Sequence, residues 1–395
     1  MSGLREHERL RGNGCRGVAR PRHGGKVVGW ERQGVALSPC GVVCAGWRPA
    51  NNSLHPTTLS RAFVGLAACR GVGGVTAKAA WRLMRHPLER KARRMPGTLL
   101  CFIIQGAYAM TNQLSNWGRW GPEDEQGALN LITPDLIKQA ADLVRTGKVY
   151  SLAMPLEAEG PQWPSRHKTW KTTRYGNDPT DGGWADDIVS MHSHSGTHID
   201  ALCHVWYHNQ LYNGFDVTEH ISSDGGTRNA IENVPAIVGR GVLLDIAGWK
   251  RVDHLHVGEP ISAADLDACA ASQNVEIHAG DILLVQTGWM KLFERDRERF
   301  NSGEPGLDMS TPIWLQQHDI VAVGADNHAV EVLETIPPDK LPFHRVVIRD
   351  LGIYLLENLN LEQLATDRVY EILFVVTPLP LTSGVGSPVN PLAIV

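Results

Sequence analysis

From Asn116 onward the chain alternates short amphipathic stretches with continuous apolar runs, whereas residues 1–109 show neither strand alternation nor a sustained helical stripe. Thr133 followed by Pro134 sets an N-cap before a proline at the first helical position. Leu136, Ile137, Ala140, Ala141, Leu143 and Val144 then share one face, and Gly147 supplies the stop, so the spacing predicts a helix from Pro134 to that glycine. Ser262 with Asp265 three positions on is a capping-box variant that opens a second helix, and Thr311-Pro312 opens a third. Strands are predicted over 236–246, 281–287, 320–324, 352–356 and 372–377, most of them apolar runs bounded by Gly, Asp or Pro. Such runs imply strands buried on both faces, and their alternation with helices indicates an α/β layered domain. No internal repeat or interior linker divides residues 110–395, which read as one compact domain.

Composition separates the two parts further. The net charge of −4 conceals 18 Lys+Arg against 4 Asp+Glu before Met110, net +14, and 20 against 38 from there on, net −18. Five of the seven cysteines also precede Met110, leaving Cys203 and Cys269, which offer no disulfide framework and point to a reducing, cytoplasmic setting. Residues 1–109 have three readings: a basic nucleic-acid-binding arm centred on Lys78–Arg94, a targeting segment with Arg93-Arg94 ahead of the apolar run 99–104, or sequence upstream of a native start at Met110. The last accounts for the charge break, the cysteine clustering and the missing periodicity together, so no nucleic-acid partner is expected. No window approaches the roughly 18 uninterrupted apolar residues of a membrane span. Glycine-rich stretches such as Gly71-Val72-Gly73-Gly74 match neither a phosphate-binding loop nor a dinucleotide fingerprint.

The chemistry concentrates in one short segment. His192, His194, His198, His204 and His208 fall within 17 positions, interleaved with Gly196, Thr197 and Asp200. Neutral imidazole and carboxylate are what Zn²⁺ and Mn²⁺ accept, and three protein ligands with an open position make a catalytic metal site. His198 and Asp200, two apart on an extended segment, project to one face, while Gly196 lets the chain turn and bring His194 round. His192 and His208 are expected outside the site, and Cys203 reads as a small buried hydrophobe. Far along the chain, Glu357 interrupts an otherwise apolar strand, which is costly unless the carboxylate is paired or bound to metal.

The pattern H-x-G-T-H-x-D with a further His four residues on resembles the cyclase family of metal-dependent hydrolases, which includes bacterial kynurenine formamidase and isatin hydrolase. The likeness runs through Gly280–Val285, Gly324-Ala325-Asp326, the segment from His344 to Glu357-Asn358-Leu359, and the ending Leu379-Pro380-Leu381 to Gly384–Pro388. It implies that His194, His198 and Asp200 bind a first ion, Zn²⁺ or Mn²⁺. In two-metal members Asp200 bridges to a second ion held by His344 and Glu357, and His204 acts as acid and base; other members keep only one ion, so one or two ions per subunit are expected. It also implies a single α/β domain whose mixed sheet curls toward a barrel with surrounding helices, assembled as homodimers or homotetramers.

The expected activity is hydrolysis of an amide or cyclic imide C–N bond, with a lactone as the alternative. The metal lowers the pKa of a bound water toward about 7 and polarises the carbonyl, and His204 carries the proton. Aromatic residues including Trp120 and Trp206, with Trp117, Trp163, Trp170, Trp184 and Tyr207, are candidates to stack on a small aromatic or cyclic substrate. A reading from another class makes His198 and Asp200 part of a non-haem Fe(II) oxygenase triad completed by His254. A third retains the fold as a ligand-binding protein without turnover.

Overall fold

The computed structural model describes residues 114–395, and the three readings of residues 1–109 fall outside the described residues. In chain order the strands that matter here are β1 (Val149–Ser151), β2 (Trp170–Asp178), β3 (Gly182–Ser190), β4 (His198–Asp200), β5 (Ile237–Asp245), β6 (Ile282–Gln286), β7 (Ala322–Ala325), β8 (Tyr354–Glu357), β9 (Glu371–Val376), β10 (Gly386–Pro388) and β11 (Leu392–Ile394). Nine of them form one mixed sheet, curled into a half-barrel, in the order β1-β11-β9-β5-β6-β7-β8-β4-β10. The run β5-β6-β7-β8 is parallel, and the strands on either side of it pair antiparallel.

The apolar runs fall where their composition predicts. Every residue of β6, β7 and β8 is buried, as expected for parallel strands covered on both faces. Among the flanking helices, α1 (Pro134–Ala141) packs on β5 and β9. Thr133 Oγ1 accepts from the Leu136 amide at 3.2 Å, a cap of the kind that stabilises a helix by about 1 kcal/mol. This helix ends six residues before Gly147, short of the predicted stop. The Leu143 and Val144 amides turn back on Ala140 and Ala141, and the amides of Thr146 and Gly147 both donate to the Val395 carbonyl, so pairing with the C-terminal strand overrides the apolar periodicity. In α2 (Ala263–Gln273) both halves of the capping box form: Ser262 Oγ accepts from Asp265 N, and Asp265 Oδ2 accepts from Ser262 N at 2.8 Å. The third predicted helix is α3 (Thr311–Gln317), with Pro312 in its first turn.

β2 and β3, nine residues each, are the longest strands without a counterpart among the predictions. They form a hairpin from Trp170↔Ser190 to Asp178↔Gly182, and nearly all of it is exposed. Among the described residues no helix is long and apolar enough to cross a membrane.

Candidate metal centre

The three-residue strand β4 is the floor of the site. Ile199 points into the core, fully buried, so His198 and Asp200 on either side of it share the opposite face. Antiparallel pairing with β8 sets Glu357 directly opposite His198, and pairing with β10 sets Gly386 opposite Asp200. Strand register thus joins residues 159 positions apart.

His194 arrives from the preceding loop. Gly196 has φ +65°, in the region that favours glycine, and its amide donates to the Pro161 carbonyl at 2.8 Å. Thr197 Oγ1 donates to the Asn358 carbonyl at 2.6 Å and accepts from the Met154 amide at 2.8 Å, tying the loop to the end of β8. The place His194 occupies exists because residue 386 is glycine: a Cβ there would lie 2.4 Å from His194 Nε2.

The resulting cluster is dense. His194 Nε2 is 3.4 Å from Asp200 Oδ1, His198 Nε2 is 3.7 Å from the same oxygen and 3.0 Å from Glu357 Oε2, and His344 Nε2 is 3.8 Å from Asp200 Oδ2 and 2.9 Å from Glu357 Oε1. Two groups of three have ligand atoms mutually within 4.8 Å: His194, Asp200 and His204, and Asp200, His344 and Glu357. Asp200 belongs to both. His198 lies between them, and its Nδ1 is 2.9 Å from the Gly196 carbonyl, which leaves Nε2 directed into the cluster. His204, half-buried, stacks on His194 with centroids 4.0 Å apart.

These donors suit a cation. His194 Nε2, His198 Nε2 and both Asp200 oxygens are buried without a hydrogen-bond partner among the described residues, which is costly unless something else satisfies them. Imidazole and carboxylate together are the ligand chemistry of Zn²⁺ and Mn²⁺. Protonation states follow the same layout. Burial opposes ionisation of Glu357, but His198 and His344 outweigh it and hold the carboxyl well below its usual range. Burial likewise opposes the His344 cation, while Glu331 and Glu357 raise that imidazole well above its usual value. His194 is lowered by burial and by its neighbours His204, His198 and Arg166, and His204 is lowered by burial.

Sequence reasoning missed Glu331 and Arg166, and took Gly386 only as part of the C-terminal segment that carries the resemblance. Glu331 Oε1 lies 2.6 Å from His344 Nδ1, and its two oxygens also accept from the amides of His344 and Phe343, so this carboxylate sets the ring that faces Asp200 and Glu357. Arg166 donates to the His194 carbonyl and feels both Glu357 and Asp200. The remaining candidates lie elsewhere. His192 is exposed and its Nε2 accepts from the His167 amide; His208 is exposed; Cys203 is wholly buried in the core, its thiol pushed up to about 12 by burial. Trp120 packs against the core beneath Arg119, and Trp206 is 36% exposed; neither belongs to the two ligand groups. Trp170 and Trp184 stand on the exposed hairpin. His254 faces Trp289 with centroids 5.9 Å apart and belongs to neither group, which removes the distal ligand of the oxygenase reading.

A curled mixed α/β sheet with buried imidazoles and carboxylates pooled around the seam of β4 and β8 defines a metal-binding α/β protein. The Cyclase family model matches residues 150–332, a span that includes the His194–Asp200 segment. The crystal structure of a novel cyclase is 37% identical, superposes with a TM-score of 0.67, and is covered over 100% of its own length by 72% of this chain. This chain belongs to the cyclase family. It is also similar to isatin hydrolase A from Ralstonia solanacearum (23% identity, TM-score 0.49, 66% of this chain and 97% of that one) and from Labrenzia aggregata (22%, 0.48, 66% and 98%). No curated protein sequence matches the chain.

Proposed function

We propose that this protein is a metal-dependent hydrolase that uses water to cleave the C–N bond of a small amide or cyclic imide. The observation that carries the reading is the set of unpartnered His194, His198 and Asp200 atoms facing His344 and Glu357 across the β4–β8 seam. In this reading His194, His198 and Asp200 hold one ion, and Asp200, His344 and Glu357 a second. A bound Zn²⁺ or Mn²⁺ supplies Lewis acidity and a water acidified toward a pKa of about 7. His204, kept neutral by burial and stacked on His194, is ready to accept a proton and to return it to the leaving nitrogen. Arg166, anchored on the His194 carbonyl, holds the loop over the carboxylates and offsets their charge. Burial of His194, His198, Asp200, His344 and Glu357 lowers the local dielectric and strengthens each of these interactions. The family resemblance favours an amide or cyclic imide as substrate, with a lactone on the same site as the second choice, and a homodimer or homotetramer as the assembly.

The test is metal analysis of the full-length chain coupled to a hydrolysis screen over amides, imides and lactones. We expect stoichiometric metal, activity lost on chelation, and recovery on adding Zn²⁺ or Mn²⁺. Stoichiometric metal with no turnover across the panel would support a binding protein instead. His204→Ala separates two roles: retained metal with lost turnover fits the proton carrier, and lost metal makes His204 a ligand.

A further inference from the structure

Neither strand of the β2–β3 hairpin contains a buried residue. A two-stranded hairpin with nothing packed on a face is marginal in water, so strands this long call for a cover. Cross-strand register sorts the side chains. Trp170, Thr172, Arg174 and Gly176 share one face with their partners Ser190, Ile188, Asp186 and Trp184. On this face Trp170, Ile188 and Trp184 are 54%, 45% and 59% exposed, and a cluster of large exposed apolar groups marks an interaction surface. The Trp184 ring reaches across to cover Gly176, where a Cβ would lie 2.8 Å from Trp184 Nε1.

Charge narrows what this face can receive. On the opposite face Asp187 is already engaged, by Lys171 at 3.2 Å and by the Thr173 hydroxyl at 2.6 Å. Arg174 and Asp186 stand directly across from each other, yet among the described residues their side chains form no ion pair or hydrogen bond. One positive and one negative group at a single level of an apolar face make that face complementary to itself. A two-fold axis along the hairpin sets each Arg174 over Asp186 of the second copy, Trp170 over Ser190 and Ile188 over Thr172, and brings the two Trp184 rings together. A partner patch of one sign, or a wholly apolar one, leaves one of the two charges unmatched. We propose that this face of the hairpin docks on the same face of a second copy of this chain. The contact belongs to the assembly proposed above and does not rest on the hydrolase reading.

Sedimentation velocity of the full-length protein tests this by charge reversal. Arg174→Asp and Asp186→Arg each set like charges against each other across the two-fold contact, and each alone should halve the mass of the wild-type assembly at the same concentration. An equimolar mixture of the two variants restores opposite charges between unlike chains but not within either chain, and should regain the wild-type mass. Pairing confined to one hairpin cannot produce that rescue. A wild type of monomer mass overturns this contact and the assembly reading together. A single variant that keeps the wild-type mass, or a mixture that stays at half of it, overturns the contact alone. Should a charge variant fail to fold, the double variant Trp170→Ser, Trp184→Ser decides: it too should halve the mass, and an unchanged mass overturns the proposal.

Discussion

Two buried polar clusters lie along the same sheet and respond to burial in opposite ways. In the metal centre, Glu357 stands between His198 and His344, and the opposite charges keep it ionised and the His198 and His344 rings more basic despite full burial. In the neighbouring cluster around Glu304, Asp326 and His328, the carboxylates meet mainly backbone amides and the imidazole meets aromatic rings. There burial dominates: Glu304 is raised well above its usual range, Asp326 rises to about 6, and His328 falls to about 3. Burial alone therefore does not make a metal site. What distinguishes one is ligand atoms that converge while paired charges keep them in the form a cation accepts.

The strongest way to break this contrast is to remove the residue both ligand groups share. Asp200→Asn keeps the shape of the side chain and removes its charge, and we expect metal content to collapse and turnover to fall by about three orders of magnitude. The measurement is elemental analysis alongside the best substrate from the screen. Full metal occupancy in the variant would mean that the pooled geometry is incidental. Next in size is Glu331→Gln. This carboxylate fixes the His344 ring through Nδ1, so its loss should lower metal affinity about 10- to 100-fold, and because its oxygens also accept from the His344 and Phe343 amides the metal-free protein should lose about 1–3 kcal/mol of stability. A competition titration with a chelating dye reads it, and an unaltered affinity would show that His344 is not held for a metal.

The neighbouring cluster should announce itself through pH rather than metal. His328 has a folded pKa below its unfolded value, so its contribution to stability is fully present above about 6.5 and is lost as pH falls toward 3. At pH 5 the loss from this group is about 2 kcal/mol. Urea unfolding of the wild type and His328→Gln at pH 7.5 and pH 5 checks this: the variant should lose less stability on acidification. Equal losses would mean that His328 stays uncharged for no energetic reason of its own.

How much of this could be read from the sequence depended on chain distance. His194, His198 and Asp200 are legible because they are close neighbours on a turn and a strand, where period and glycine placement already fix their directions. Glu357 stands out as a charge inside an apolar run. Glu331 is invisible: in Ala329-Val330-Glu331-Val332 it looks like an outward-facing position, and only the return of the chain 13 residues later brings His344 to it. Gly386 is similarly silent, since the reason for its missing side chain is a histidine 192 positions away. The five predicted strands emerge within two residues because apolar runs report burial directly, whereas the β2–β3 hairpin escapes because an exposed strand pair has no buried face to leave an alternating pattern.

The smallest expected effect is also the one that asks whether the two clusters are independent. Thr287→Ser preserves the hydroxyl that donates to Asp326 and accepts from the Trp289 amide, and removes one buried methyl group. The cost should be about 1 kcal/mol of stability, the scale of a single methyl lost from a packed interior. Metal affinity should stay within about twofold, because Asp326 follows β7 whereas Glu357 ends the adjacent β8, and β8 is held by its ladders to both β7 and β4. A loss of several kcal/mol, or a clear drop in metal affinity, would mean that a shift at Asp326 travels across β7 and β8 to Glu357. The two clusters would then be a single cooperative polar core, and the opposite signs of their protonation shifts would be two ends of one network.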